Sequence, residues 1–98
     1  MAHRLTPQVE SDLDEIWYFV ASESGNPEIA NRLVDSLTRR FLLLAAYPYV
    51  GRVRNDLRPG LRSFPVGQYV ILYRIEGNDV LILHVLHSRR DLDGILRP

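Results

Sequence analysis

The sequence predicts an α+β fold, with an N-terminal antiparallel helical hairpin packed on a small, mainly antiparallel β-sheet. Three observations predict it. Residues 7–46 carry apolar side chains at helical spacing in two runs, each opened by a cap residue and a proline. The link between those runs is only a few residues, which makes the two helices antiparallel neighbours. Residues 69–75 and 80–87 are strongly apolar and flank the turn Glu76-Gly77-Asn78-Asp79, the pattern of a β-hairpin. A chain of 98 residues is enough for a single domain, 1–98, and too short for two.

The elements follow in order. Ala2 to Thr6 is a short piece suited to pairing as an edge strand. Thr6-Pro7 is a helix start, a hydroxyl cap followed by a proline whose missing N–H costs nothing at the first helical position. Glu10 and Asp12 fall in the early turns, at the positive end of the helix dipole. Val9, Leu13, Ile16, Trp17 and Val20 form one apolar face of a helix from Pro7 to about Ser22. Glu23-Ser24-Gly25 ends it, with Gly25 free to take positive φ. Asn26-Pro27 opens a second helix in the same way, with Ala30, Leu33, Leu37, Phe41 and Leu44 on its buried face. Tyr47-Pro48 stops it near Ala46.

Residues 48–60 read as irregular, with Gly51-Arg52-Val53 a brief strand. Leu61 to Phe64 is a firmer strand and Pro65 to Gln68 a turn. The two apolar runs then pair. Alternation sets Val70 and Leu72 against Tyr69, Ile71 and Tyr73. In the last run it sets Val80, Ile82 and Leu86 against Leu81, Leu83 and Val85. Both strands are apolar on both sides, and two helices cover only one face of a small sheet. The second face therefore calls for a cover, from this chain or from a partner.

Composition narrows the function. The chain has no cysteine, which removes disulfides, thiolate metal sites and thiol catalysis and fits a reducing cytoplasm. No segment has the ~18 uninterrupted apolar residues of a membrane span, and the N-terminus lacks the apolar stretch of a signal peptide. The net charge is zero, yet residues 1–50 hold four arginines against seven acids and residues 51–98 eight against five. All twelve cations are arginine, a side chain that grips phosphate and carboxylate bidentately. The plainer reading of that preference is a GC-rich genome favouring arginine codons, but such a bias does not choose positions and leaves the clustering in the second half unexplained.

Arg62, Arg74, Arg89 and Arg90, with His84 and His87, form the candidate cationic patch, suited to phosphate or an acidic partner segment. The plainer alternative is a scattered, solvated surface. His87 is a candidate for acid–base work, since a free imidazole's pKa lies near neutrality, whereas arginine keeps its proton and only stabilises charge. A metal-free nuclease would rest on His87 with Arg62 and Arg74; otherwise His87 simply ends a strand. His84, on the side of Ile82 and Leu86, reads as structural. Asp12, Asp14 and Glu15 read as a solvated helix face. Trp17 reads as core, or as part of a groove between hairpin and sheet where a partner helix docks. No metal-ligand spacing, nucleophile elbow or glycine-rich phosphate loop is present.

The ordered set of motifs resembles the ParE branch of the RelE/ParE toxin superfamily over nearly the whole chain. The resemblance rests on Ser11-Asp12-Leu13-Asp14-Glu15-Ile16-Trp17, on Ala30 with Leu37, and on Pro48-Tyr49-Val50-Gly51. It continues through Leu57-Arg58-Pro59-Gly60-Leu61-Arg62, Tyr69-Val70-Ile71-Leu72-Tyr73-Arg74, Val85-Leu86-His87 and Arg89-Arg90-Asp91. It implies the toxin half of a bacterial type II toxin–antitoxin pair, cytoplasmic and without cofactor or metal. It also implies a ParD-like antitoxin that wraps the toxin with its C-terminal segment and binds operator DNA through its own N-terminal part. ParE toxins are held to poison DNA gyrase, whereas RelE relatives cut mRNA on the ribosome. RelE-type sites resemble clusters of lysine and arginine with a late tyrosine or histidine. This chain has no lysine and no tyrosine after Tyr73, which favours the ParE activity. The alternative is a metal-independent endoribonuclease using Arg62, Arg74 and His87. The resemblance supplies no catalytic residue for the ParE activity. Trp17, Arg62, Arg74, His87, Arg89 and Arg90 are therefore candidates for contacting target or antitoxin.

Overall fold

The computed structural model describes residues 2–96. The elements are β1 (His3–Leu5), α1 (Pro7–Ser24), α2 (Pro27–Ala46), β2 (Arg52–Val53), β3 (Arg62–Val66), β4 (Tyr69–Glu76), β5 (Asp79–His87) and α3 (Leu92–Leu96). They form one sheet in the order β1-β5-β4-β3-β2. All neighbours are antiparallel except β1, which runs parallel to β5.

Local chemistry accounts for the helix ends. Thr6 caps α1, its hydroxyl accepting from the Val9 N–H, and Gly25 closes it at φ 65° in the left-handed region. Asn26 caps α2 by accepting from the Glu28 N–H at 3.0 Å. The buried face expected of α2 is the one observed: Ala30, Leu37, Phe41 and Leu44 are all sealed. With Val9 and Ile16 of α1, Leu37, Phe41 and Leu44 pack on Val66, Ile71, Tyr73, Val80, Ile82 and Val85 of the sheet. Each large apolar side chain buried here contributes roughly 1.5–3 kcal/mol.

Four expectations are corrected. First, the strand expected to end at Phe64 runs on to Val66, so Pro65 pairs with Val70 instead of opening a turn. The ladder tolerates proline there because β2 begins only at Arg52, opposite Ser63, and leaves the rest of β3 as an edge.

Second, β5 is bulged. Leu72 lies opposite His84 and Tyr73 opposite Ile82, so Leu83 is an extra residue. The bulge inverts the alternation beyond it. Val85 joins Val80 and Ile82 under the helices, while Leu86 goes to the far face. Simple period-two counting had assigned those two residues the other way round.

Third, the chain covers its own far face. Val70, Leu72 and Leu86 pack against Leu61 and Leu96, with Leu57, Leu83, Leu92 and Ile95 around them. Most of that cover comes from α3, an element the sequence reading lacked. The Arg58 guanidinium fastens it by donating to the Leu96 carbonyl.

Fourth, Asp12 is no solvated acid. It is 5% exposed, and its Oδ2 accepts from the Val85 N–H at 3.0 Å.

Candidate functional site

The site is built where β1 leaves the sheet. β1 ends at Leu5, opposite Ile82, so beyond that point β5 has no strand neighbour on its outer edge. The start of α1 crosses this edge and substitutes for the missing strand. The Thr6 N–H donates to the Ile82 carbonyl at 3.1 Å, and its hydroxyl to the Leu83 carbonyl at 3.1 Å. Asp12 takes the Val85 N–H, receives Gln8 Nε2 at 2.9 Å, and has His84 Nδ1 at 3.3 Å from Oδ2. His84 is thus a structural histidine at the bulge, as the sequence suggested, although Ile82 and Leu86 lie on opposite faces.

Past this seam α1 and the end of β5 diverge and leave a groove of about 340 Å³. Its apolar lining comes from Ile16 and Phe19 of α1 and from Tyr69, Val85 and Leu86 of the sheet. Glu15, His87 and Arg90 supply its polar groups. Phe19 is 60% exposed, an unusual amount for a large aromatic ring beside a concave apolar surface. Tyr69 meets the His87 ring edge-on at 5.4 Å, and burial pushes its phenol above the usual tyrosine range. His87 Nδ1 accepts from the Arg89 N–H at 3.2 Å, so the turn after β5 fixes the ring. Arg89 and Arg90 on that turn are exposed.

The six candidate residues do not gather at one place. His87, Arg89 and Arg90 are together at this end of the sheet. Arg62 is committed elsewhere, donating to the carbonyls of Gly51 at 2.9 Å and Tyr49 at 3.3 Å and lying 5.1 Å from the Tyr49 ring centre. It secures the loop that Tyr73 also holds. The Tyr73 hydroxyl donates to the Pro48 carbonyl and accepts from the Gly51 N–H. Any Cβ on Gly51 would collide with the Tyr73 ring, so only glycine fits.

Arg74 chelates Glu76 at 2.7 and 3.1 Å at the β4–β5 turn. Arg74 and then Arg4 hold the Glu76 carboxyl below its usual range by hydrogen bonding to it. Arg62 shares a face with its partner Tyr73, so the adjacent Arg74 points to the opposite face. His87 pairs with Tyr69, about 17 Å along β4 from Arg74 at the usual rise per residue. The Arg62–Arg74–His87 set is therefore not a common site.

Trp17 is neither core nor groove lining. It is half-buried, and its indole N–H donates to Asn31 Oδ1 at 2.7 Å, tying α1 to α2. A groove between hairpin and sheet does exist, but Ile16 and Phe19 line it. Phe19 carried no signal in the sequence beyond being an aromatic outside the main apolar stripe. Asp12 carried none, because its role depends on where β1 stops.

The comparisons with known proteins bear on this arrangement. The family model described as "ParE toxin of type II toxin-antitoxin system, parDE" matches residues 4–92. The chain belongs to the ParE toxin family. It is 40% identical to Toxin ParE3 of Caulobacter vibrioides over 87 residues, covering 89% of this chain and 86% of that protein. It is 31% identical to Toxin ParE1 of Mycobacterium tuberculosis over 90 residues, 91% of each. Among solved structures, a chain from the chromosomal ParDE system of P. aeruginosa shares the fold. Its TM-score is 0.78 at 24% identity, covering 89% of this chain and 95% of that one. A chain of the RelBE2 toxin–antitoxin complex of Mycobacterium tuberculosis superimposes at 0.57 with 28% identity, covering 88% and 95%. This ParE chain is thus a toxin component of a type II toxin–antitoxin system on the RelE/ParE fold.

Proposed function

We propose that this ParE toxin inhibits DNA gyrase in the cytoplasm and is neutralised by a ParD-like antitoxin whose C-terminal segment occupies the α1–β5 groove. The observation that carries the antitoxin reading is the groove itself. It has an apolar floor, a protruding Phe19 and charges of both signs at its rim. An amphipathic helix laid along it would bury Phe19 and pair its polar face with Glu15 and Arg90. The likeness to a chain described as part of a ParDE system and to one from the RelBE2 complex supports an antitoxin as partner. Operator DNA is then reached only through that antitoxin. The described residues include no helix long and apolar enough to cross a membrane.

The gyrase reading rests on family membership. The scattering of Arg62, Arg74 and His87 speaks against the endoribonuclease alternative, since acid–base transfer and phosphate gripping must converge within hydrogen-bond reach. The test is supercoiling of a relaxed plasmid by purified gyrase, with and without the protein. Inhibition that the antitoxin from the adjacent gene reverses is the expected result. Full supercoiling with the protein in large excess over gyrase would overturn the target assignment while leaving family membership intact.

A further inference from the structure

The far face of the sheet carries a second concavity, of about 470 Å³, which shares only Tyr69 with the lining of the α1 groove. Arg52 of β2 pairs directly with Ser63 of β3, so both side chains stand on this face with Cβ atoms about 5 Å apart. Ser63 is 7% exposed and lines the concavity. Its hydroxyl has no hydrogen-bond partner among the described residues and is not sealed off, so it opens onto the cavity. Arg52 makes no hydrogen bond or close ion pair among the described residues, and Asp56, held by Arg54, feels its charge only at longer range. Arg54, also lining the cavity, holds Asp56 through two hydrogen bonds of 3.1 and 3.0 Å. With one carboxylate among two guanidinium groups, the cavity keeps an uncompensated positive charge. Pro65, Val70 and Leu92 form its apolar part.

We propose that this cavity binds a phosphomonoester of nucleotide size. Its phosphate oxygens would sit on the Arg52 guanidinium and the Ser63 hydroxyl, and its apolar body on Pro65, Val70 and Leu92. A guanidinium presents two parallel N–H donors that match a phosphate edge. A phosphate has a third oxygen to spare for the serine, which a carboxylate does not. The volume falls within the range of small-molecule sites, and the apolar wall beside the cations gives a ring system somewhere to lie. The proposal is independent of the antitoxin groove, which lies at the α1 side of the sheet.

Isothermal titration of the full chain at low salt tests it, with AMP and inorganic phosphate as probes. AMP is expected to bind at least tenfold more tightly than phosphate. Arg52→Ala and Ser63→Ala should each weaken AMP by fivefold or more, and Arg32→Ala on the remote α2 should change nothing. Ser63→Ala removes an unpartnered hydroxyl, so the fold should survive, which a thermal melt checks. The proposal fails if AMP gives no binding at millimolar concentration. It fails if both cavity variants bind AMP as the parent does, or if phosphate binds as well as AMP, an adventitious anion site only.

Discussion

At the scale of the residue, Asp12 shows how a single side chain closes a defect of the sheet. β1 covers the edge of β5 only as far as Ile82. The next outward N–H, that of Val85, is buried under α1, and Asp12 is its sole acceptor at 3.0 Å. Removing the carboxylate would strand that donor away from water, and a buried unsatisfied N–H costs about 1–3 kcal/mol. Asp12→Ala is therefore expected to lower the unfolding free energy by that amount, read as a lower urea midpoint at an unchanged m-value. Asp12→Asn keeps an oxygen acceptor and should lose less. Equal stability of Asp12→Ala and the parent would mean that water reaches Val85. The same residue marks a limit of sequence reading. An acid in the first turns of a helix has a sufficient explanation in the helix dipole, and only the strand register reveals the second one.

At the scale of the element, the two helices, both apolar strands and the edge strand β1 were legible because each carries its own local signal. Proline and cap residues open the helices, apolar spacing sets the buried face of α2, and a four-residue polar turn joins β4 and β5. Two things were not legible. The Leu83 bulge shifts every later side chain of β5 to the other face, and nothing in a run of alternating aliphatics marks where an extra residue sits. Helix α3 is five residues long, too short for periodicity to register, and such a helix has no stability of its own. Its stability comes from docking. Leu96 is 3% exposed against Leu61, Val70, Leu72 and Leu86, and Arg58 holds its carbonyl. Leu96→Ala should cost about 2–5 kcal/mol, as for other buried leucines, and should raise binding of a hydrophobic dye by baring the far face. A loss below half a kcal/mol would show that α3 contributes little to the cover.

At the scale of the molecule, the charge asymmetry between the two halves of the chain acquires a location. The excess arginines of residues 51–98 do not form one patch. Arg62 and Arg58 serve as internal fasteners, Arg74 is spent on Glu76, and Arg54 on Asp56. Among the described residues, what remains open to a partner is Arg52 on the far face and the pair Arg89 and Arg90 at the end of the sheet, with Arg90 lining the α1 groove. Sequence spacing could not separate these classes, since a committed and a free arginine look identical until their partners are known. Exposed interfacial charges act mainly on the rate of encounter and on its salt dependence. Reversing both, as Arg89→Glu with Arg90→Glu, should leave the far-ultraviolet dichroism and melting temperature unchanged because neither side chain is buried. The association rate with the antitoxin should fall by roughly tenfold or more at low salt, with a smaller difference at high salt. Surface plasmon resonance across a salt series, beside a growth assay for toxicity, reads both arms. Parent-like kinetics at every salt concentration, together with parent-like toxicity, would remove these two arginines from both the antitoxin and the target surfaces.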